Sequence, residues 1–149
     1  MVTRLNLGCG NKPKEGYLGV DINYNPDIKW DLNKGLPDLW IDAVWMDNSL
    51  EHFHDPIGLL KEVYTKMYTN GILEITCPNT QWFPLLILGW FVDIHWFWNW
   101  WMGRKKQRGL HYSLYTPYTL RLTLETIGFK ILEVRGGYLS KQFYIKAER

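Results

Sequence analysis

The chain has 149 residues, a net charge of +2, and a composition that is 46% hydrophobic and 16% aromatic. That length suits a single domain spanning 1–149 with a sizeable core, and so small a charge gives no reason to expect a nucleic-acid partner. Cys9 and Cys77 are the two cysteines; they cannot form a disulfide framework and have no metal-ligand spacing, so no metal site is expected. A reducing, cytoplasmic setting follows as the expectation, and because residues 2–7 already read as a strand, no signal peptide is expected.

In chain order, residues 2–7 alternate and stop at Gly8-Cys9-Gly10, giving a first strand. Residues 17–22 read as a second strand that ends near Asp21. The eight residues from Cys9 to Gly16, with Pro13 among them, are too few for a crossover helix; one turn is the most that fits. Residues 27–32 predict a short third strand, reached by another helix-free loop, and 41–46 a fourth. Asp55-Pro56 then opens a helix, with an acidic N-cap and proline at the first helical position. Ile57, Leu60, Tyr64 and Met67 form its expected apolar stripe, and Asn70-Gly71 its expected end. Residues 72–76 predict a fifth strand, stopped by Cys77-Pro78-Asn79. Thr116-Pro117 opens a second helix with Leu120, Leu124 and Ile127 on one face, Gly128 beyond it, and two final strands at 129–134 and 142–147, the last antiparallel.

This order of elements predicts an α/β open sheet. In such sheets ligands bind beyond the carboxyl ends of the strands. Five predicted strand ends carry glycine or polar groups: Gly8 to Gly10, Asp21, Asp31, Asp47-Asn48, and Cys77 to Asn79. Glycines allow close backbone approach to a ligand, and a carboxylate ending the second strand can accept from a ribose diol.

With Leu5-Asn6-Leu7-Gly8-Cys9-Gly10, Leu50-Glu51-His52-Phe53 and the closing pattern after Thr116-Pro117, the chain resembles class I S-adenosylmethionine-dependent methyltransferases, and in particular a compact Leu-Asn-Leu-Gly-Cys-Gly subgroup. The resemblance implies a truncated Rossmann-like methyltransferase sheet of about seven strands, with the helices after strands one and two missing or minimal. It implies S-adenosylmethionine as cofactor. Gly8, Cys9 and Gly10 would meet its methionine part, Asp21 its ribose, Asp31 and Leu32 its adenine, and Asp47 and Asn48 the region around the transferred methyl. Many members of the family carry an acid where this chain has Asn6. The acceptor would be an oxygen or nitrogen of a small molecule, sugar or lipid. If it is a hydroxyl, His52, His111 and Asp47 are the candidates for the base. The alternative is a donor-binding or structural protein that kept the fold and lost the chemistry.

One stretch lies outside the resemblance. Six of the nine tryptophans fall between Trp82 and Trp101 in an aromatic-rich insertion at about 80–110, which ends in the basic cluster Arg104, Lys105, Lys106 and Arg108. Without helices after strands one and two, one sheet face is expected to be bare. If roughly 400 Å² of apolar surface faced water there, the cost would be about 10 kcal/mol. Cover by the aromatic insertion, a homodimer through the open face or the insertion, and peripheral membrane contact through tryptophans and basic residues are the expected solutions. An acceptor-pocket lid is the remaining role for that segment.

Overall fold

The computed structural model describes residues 3–82 and 112–149. Seven strands make one sheet: β1 (Arg4–Leu7), β2 (Leu18–Asp21), β3 (Ile28–Lys29), β4 (Ile41–Asp47), β5 (Met67–Pro78), β6 (Lys130–Arg135) and β7 (Gln142–Glu148), in the order β3-β2-β1-β4-β5-β7-β6. The first five run parallel, and β7 is antiparallel to both β5 and β6. Two α-helices are described, α1 (Pro56–Lys66) and α2 (Pro117–Ile127). No helix stands between β1 and β2 or between β2 and β3. This is the truncated Rossmann-like sheet of seven strands expected from the sequence.

Both helices start where their caps dictate. The Asp55 carboxylate accepts from the Gly58 N–H at 2.8 Å, and Thr116 forms a capping box with Thr119. The end of α1 differs from the expectation. It stops at Lys66, because Met67 turns extended and pairs with Ile41 of β4. Asn70 is left-handed, but as a kink within β5 and not as a helix cap. The buried face of α1 is Pro56, Leu59, Leu60 and Val63, whereas Ile57 is exposed. Strand three is also shorter than expected. Asp31 lies beyond it and caps a 3-10 turn at Leu32–Lys34 by accepting from the Asn33 N–H.

The two sheet faces are chemically distinct. Pairing register places Leu5, Leu7, Val44, Met46, Leu73, Ile75, Phe143, Ile145 and Ala147 on one face. All belong to the core, together with Leu60 and Val63 of α1 and Leu120 and Leu124 of α2. The same register puts Asn6, Trp45, Glu74, Thr76, Tyr144 and Lys146 on the opposite face, and none of these belongs to the apolar core.

The expectation of a bare apolar face is therefore corrected. Among the described residues no helix covers the second face, which is polar and aromatic, and the shortened crossover after β1 folds onto it. The Lys14 ammonium lies 3.1 Å from the centroid of the Trp45 ring and 4.8 Å from that of Tyr17, and 4.0 Å from the Glu74 carboxylate. The Tyr144 hydroxyl donates to Glu74, and the Tyr144 and Trp45 rings are 6.3 Å apart. Cation–π and hydrogen-bonded contacts tolerate water, so the strands supply by alternation what helices would otherwise supply by burial. The aromatic stretch at 83–102, the basic cluster and His111 lie outside the described residues. Among the described residues, no helix is long and apolar enough to cross a membrane.

Candidate functional site

The polar strand ends do gather at one sheet edge, and hydrogen bonds tie them together. After β1 the chain turns through Gly8 and Gly10, both left-handed, at φ +67° and +54°. Their roles differ. A Cβ on Gly8 would sit 2.7 Å from the Ser49 Cβ, whereas one on Gly10 would meet nothing nearer than Tyr24 at 3.8 Å. Gly8 is thus required by internal packing as well as by its backbone angle. Gly10 leaves open space above the edge.

Asp21 clasps this turn. One carboxylate oxygen accepts from the Gly10 N–H at 2.9 Å and the other from the Asn23 N–H at 2.8 Å. Each oxygen keeps a lone pair for another donor. Cys9 is buried beneath, and burial, then the neighbouring Asp21 charge, push its thiol pKa up. Such a thiol is an inert packing group.

Asp47 ends β4. It receives the Asn48 side-chain amide at 2.6 Å and pairs with the Lys12 ammonium at 3.4 Å. Asn48 is left-handed, and its side-chain oxygen accepts from Gln142 at 2.9 Å. Gly8, Cys9, Asp47, Lys12, Lys14 and Trp45 share the lining of a cleft of about 380 Å³. Asp31 and Leu32 stand apart from that lining: Asp31 caps its turn and pairs with Lys34 at 3.9 Å, and Leu32 is buried in the core. His52 closes a 3-10 turn at Leu50–His52, its N–H donating to the Ser49 carbonyl at 3.0 Å. His111 lies outside the described residues.

The structural roles of four residues at this edge were not read from the sequence. Asn6 is buried within β1, and its side-chain amide donates to the Lys12 carbonyl at 3.0 Å, pinning the short crossover. A polar residue inside an apolar strand was the available signal. The Ser49 hydroxyl donates to the Leu7 carbonyl at 2.8 Å and locks the β4 turn against the glycine turn. Lys12 carries the ion pair to Asp47.

The fourth is Glu51. It is 2% exposed, and neither carboxylate oxygen has a hydrogen-bond partner. Burial raises its pKa to about 7, and the Asp47 charge adds to that. The Cys77 thiol faces it without reaching hydrogen-bond geometry, and burial, then the Glu51 charge, push that thiol well up. The Glu51 carbonyl accepts from the Tyr112 N–H at 2.7 Å, anchoring the approach to α2. Its signal was an acid inside the short run Leu50 to Phe53, both of whose ends are buried.

Comparisons agree with this geometry. A family model described as a methyltransferase domain matches residues 11–134. Among solved structures, the chain is similar to an S-adenosylmethionine-dependent methyltransferase from Mesorhizobium loti, with TM-score 0.67, 16% identity, and coverage of 99% of this chain and 91% of that one. A corresponding protein from Archaeoglobus fulgidus gives TM-score 0.66, 20% identity, and coverage of 99% and 86%. The magnesium protoporphyrin IX methyltransferase of Synechocystis PCC 6803, solved with bound SAH, gives TM-score 0.63, 13% identity, and coverage of 99% and 74%. At these identities the likeness is one of fold. No curated protein sequence matches significantly.

Proposed function

The chain belongs to the methyltransferase domain family, and we propose that it moves the methyl group of S-adenosylmethionine to an oxygen or nitrogen of a small molecule, sugar or lipid. The observation that carries this reading is the glycine turn at the end of β1, held by Asp21 at the end of β2. The residues present fit the donor. Gly10 leaves the backbone open where a side chain would intrude, Asp21 retains lone pairs for a ribose diol, and the adjoining cleft of about 380 Å³ is edged by Asp47. Asp31 stays in the reading as an adenine contact, while the buried Leu32 supports its turn from below.

When bound, the donor supplies a methyl group already activated by its sulfonium. The protein therefore acts mainly by position. Gly8 and Ser49 fix the turn, Asp21 orients the ribose, and Asp47 and Asn48 present polar groups beside the reacting region. For a hydroxyl acceptor, His52, Asp47 and His111 are the bases of this reading. Cytoplasmic location, with peripheral membrane contact through the aromatic stretch, belongs to the same proposal and is tested by liposome sedimentation. A homodimer is best sought through that stretch, because the helix-free face offers polar groups and little apolar area.

Calorimetry with S-adenosylmethionine tests the donor reading. Wild type is expected to bind, and Asp21→Ala to bind at least about tenfold more weakly, because ribose hydrogen bonds to a carboxylate are charge-assisted. Absence of binding by wild type overturns the reading. The missing crossover helix favours one alternative, a donor-binding protein without transfer chemistry. Binding without labelled-methyl transfer to any of a panel of phenols, alcohols, sugars, amines and lipid headgroups favours that alternative.

A further inference from the structure

Glu51 is the buried group that the donor reading leaves unused. Burying a carboxylate without partners is costly, and among the described residues neither oxygen of this one has a hydrogen-bond partner. The groups facing it are acidic or weakly acidic: Asp47 from β4, Cys77 from β5, and Tyr115 from the approach to α2, whose hydroxyl pKa burial pushes up to about 12. His52 follows it in the same turn. Glu51 sits in the turn that packs on the binding edge: Ser49 and Phe53, on either side of it, lie against Gly8, while Glu51 itself shares a small enclosed space with Pro78 and Tyr115 outside the cleft lining. Its turn begins at Leu50, two residues beyond Asn48, and Asp47 pairs in register with Thr76, the neighbour of Cys77. A cation admitted beside Asp47 therefore acts on two carboxyl groups, one exposed to the cleft and one sealed behind it.

We propose that Glu51 is a proton-linked counter-charge for the cationic donor, losing its proton when the sulfonium is bound and regaining it when the uncharged thioether product remains. The inference rests on the donor reading and adds to it a means of distinguishing donor from product. Burial favours the protonated carboxyl, and an arriving positive charge shifts it toward the anion. The proton leaves to solvent on binding. Donor and product carry the same amino acid and nucleoside and differ in the sulfonium charge.

Calorimetry in buffers of different ionisation enthalpy measures the proton count directly. At pH 7, S-adenosylmethionine is expected to release about half a proton more than S-adenosylhomocysteine, given a carboxyl half protonated there. Donor affinity is expected to be about tenfold weaker at pH 6 than at pH 8, with product affinity nearly level. Glu51→Gln, checked for folding by circular dichroism, is expected to abolish both differences. Equal proton counts for the two ligands on wild type overturn the inference while leaving the donor reading intact. A proton difference that persists in folded Glu51→Gln also overturns it. Binding of neither ligand overturns the donor reading and this inference together.

Discussion

The two faces of the sheet solve the same problem by different chemistry. On one, Leu5, Leu7, Val44, Met46, Ile75 and Ile145 are buried under α1 and α2. On the other, Trp45, Glu74 and Tyr144 carry a crossover loop whose Lys14 lies over the tryptophan ring. The first face is held by area removed from water, the second by contacts that remain compatible with it. Losing a helix is therefore tolerable where the strand positions on that face are polar or aromatic. The difference also places the acid–base chemistry, since the only fully buried carboxylate among the described residues, Glu51, lies with the apolar core residues Leu50 and Phe53.

The largest expected effect breaks the covered face. Leu60→Ala removes a fully buried side chain between α1 and the sheet and should cost about 3 kcal/mol in urea unfolding, from lost transfer energy and the cavity left behind. Glu51→Gln should act with the opposite sign, and only at higher pH. An acid whose folded pKa is raised to about 7 from 4.5 destabilises the fold progressively as pH rises between those values, because the folded state then holds the extra proton. The variant should match wild type near pH 4 and exceed it by about 3 kcal/mol at pH 8. Equal stabilities across that range would show that Glu51 is not the buried acid it appears.

On the open face the effects should be smaller. Trp45→Ala loses a half-buried ring contacted by Lys14 and Tyr144 and should cost about 2 kcal/mol, less than Leu60→Ala because water replaces part of the lost contact. Lys14→Met keeps the aliphatic stem and removes the charge. It should cost about 0.5 kcal/mol, and the difference should vanish in high salt. If Lys14→Met proved as damaging as Leu60→Ala, the contrast between the faces would fail.

Much of this was legible because it is local or periodic. Asp55-Pro56 and Thr116-Pro117 cap their helices through groups three residues away, so the sequence around them suffices. The eight residues from Cys9 to Gly16 cannot hold a crossover helix, and none is there. Glycines and acids at the strand ends point to one edge because parallel strands bring all their carboxyl ends to the same side. The resemblance to methyltransferases is borne out at the level of the family by the match over 11–134, which begins just past the Leu5 to Gly10 motif.

Tertiary structure decided what depends on partners distant in the chain. α1 ends at Lys66 because Ile41 claims Met67 for the sheet, a pairing no local cap announces. Counting helices suggested a bare apolar face; register assigns Trp45, Glu74 and Tyr144 to one side and shows it to be polar. Gly8 is glycine because Ser49, far along the chain, packs against it, and enclosure between β4, β5 and the approach to α2 raises the Glu51 pKa. Sequence by itself determined the elements and the edge where a ligand belongs, since dihedral preference, capping and period are short-range properties. Burial and charge at that edge are properties of the assembled sheet, where residues dozens of positions apart set one another's solvation.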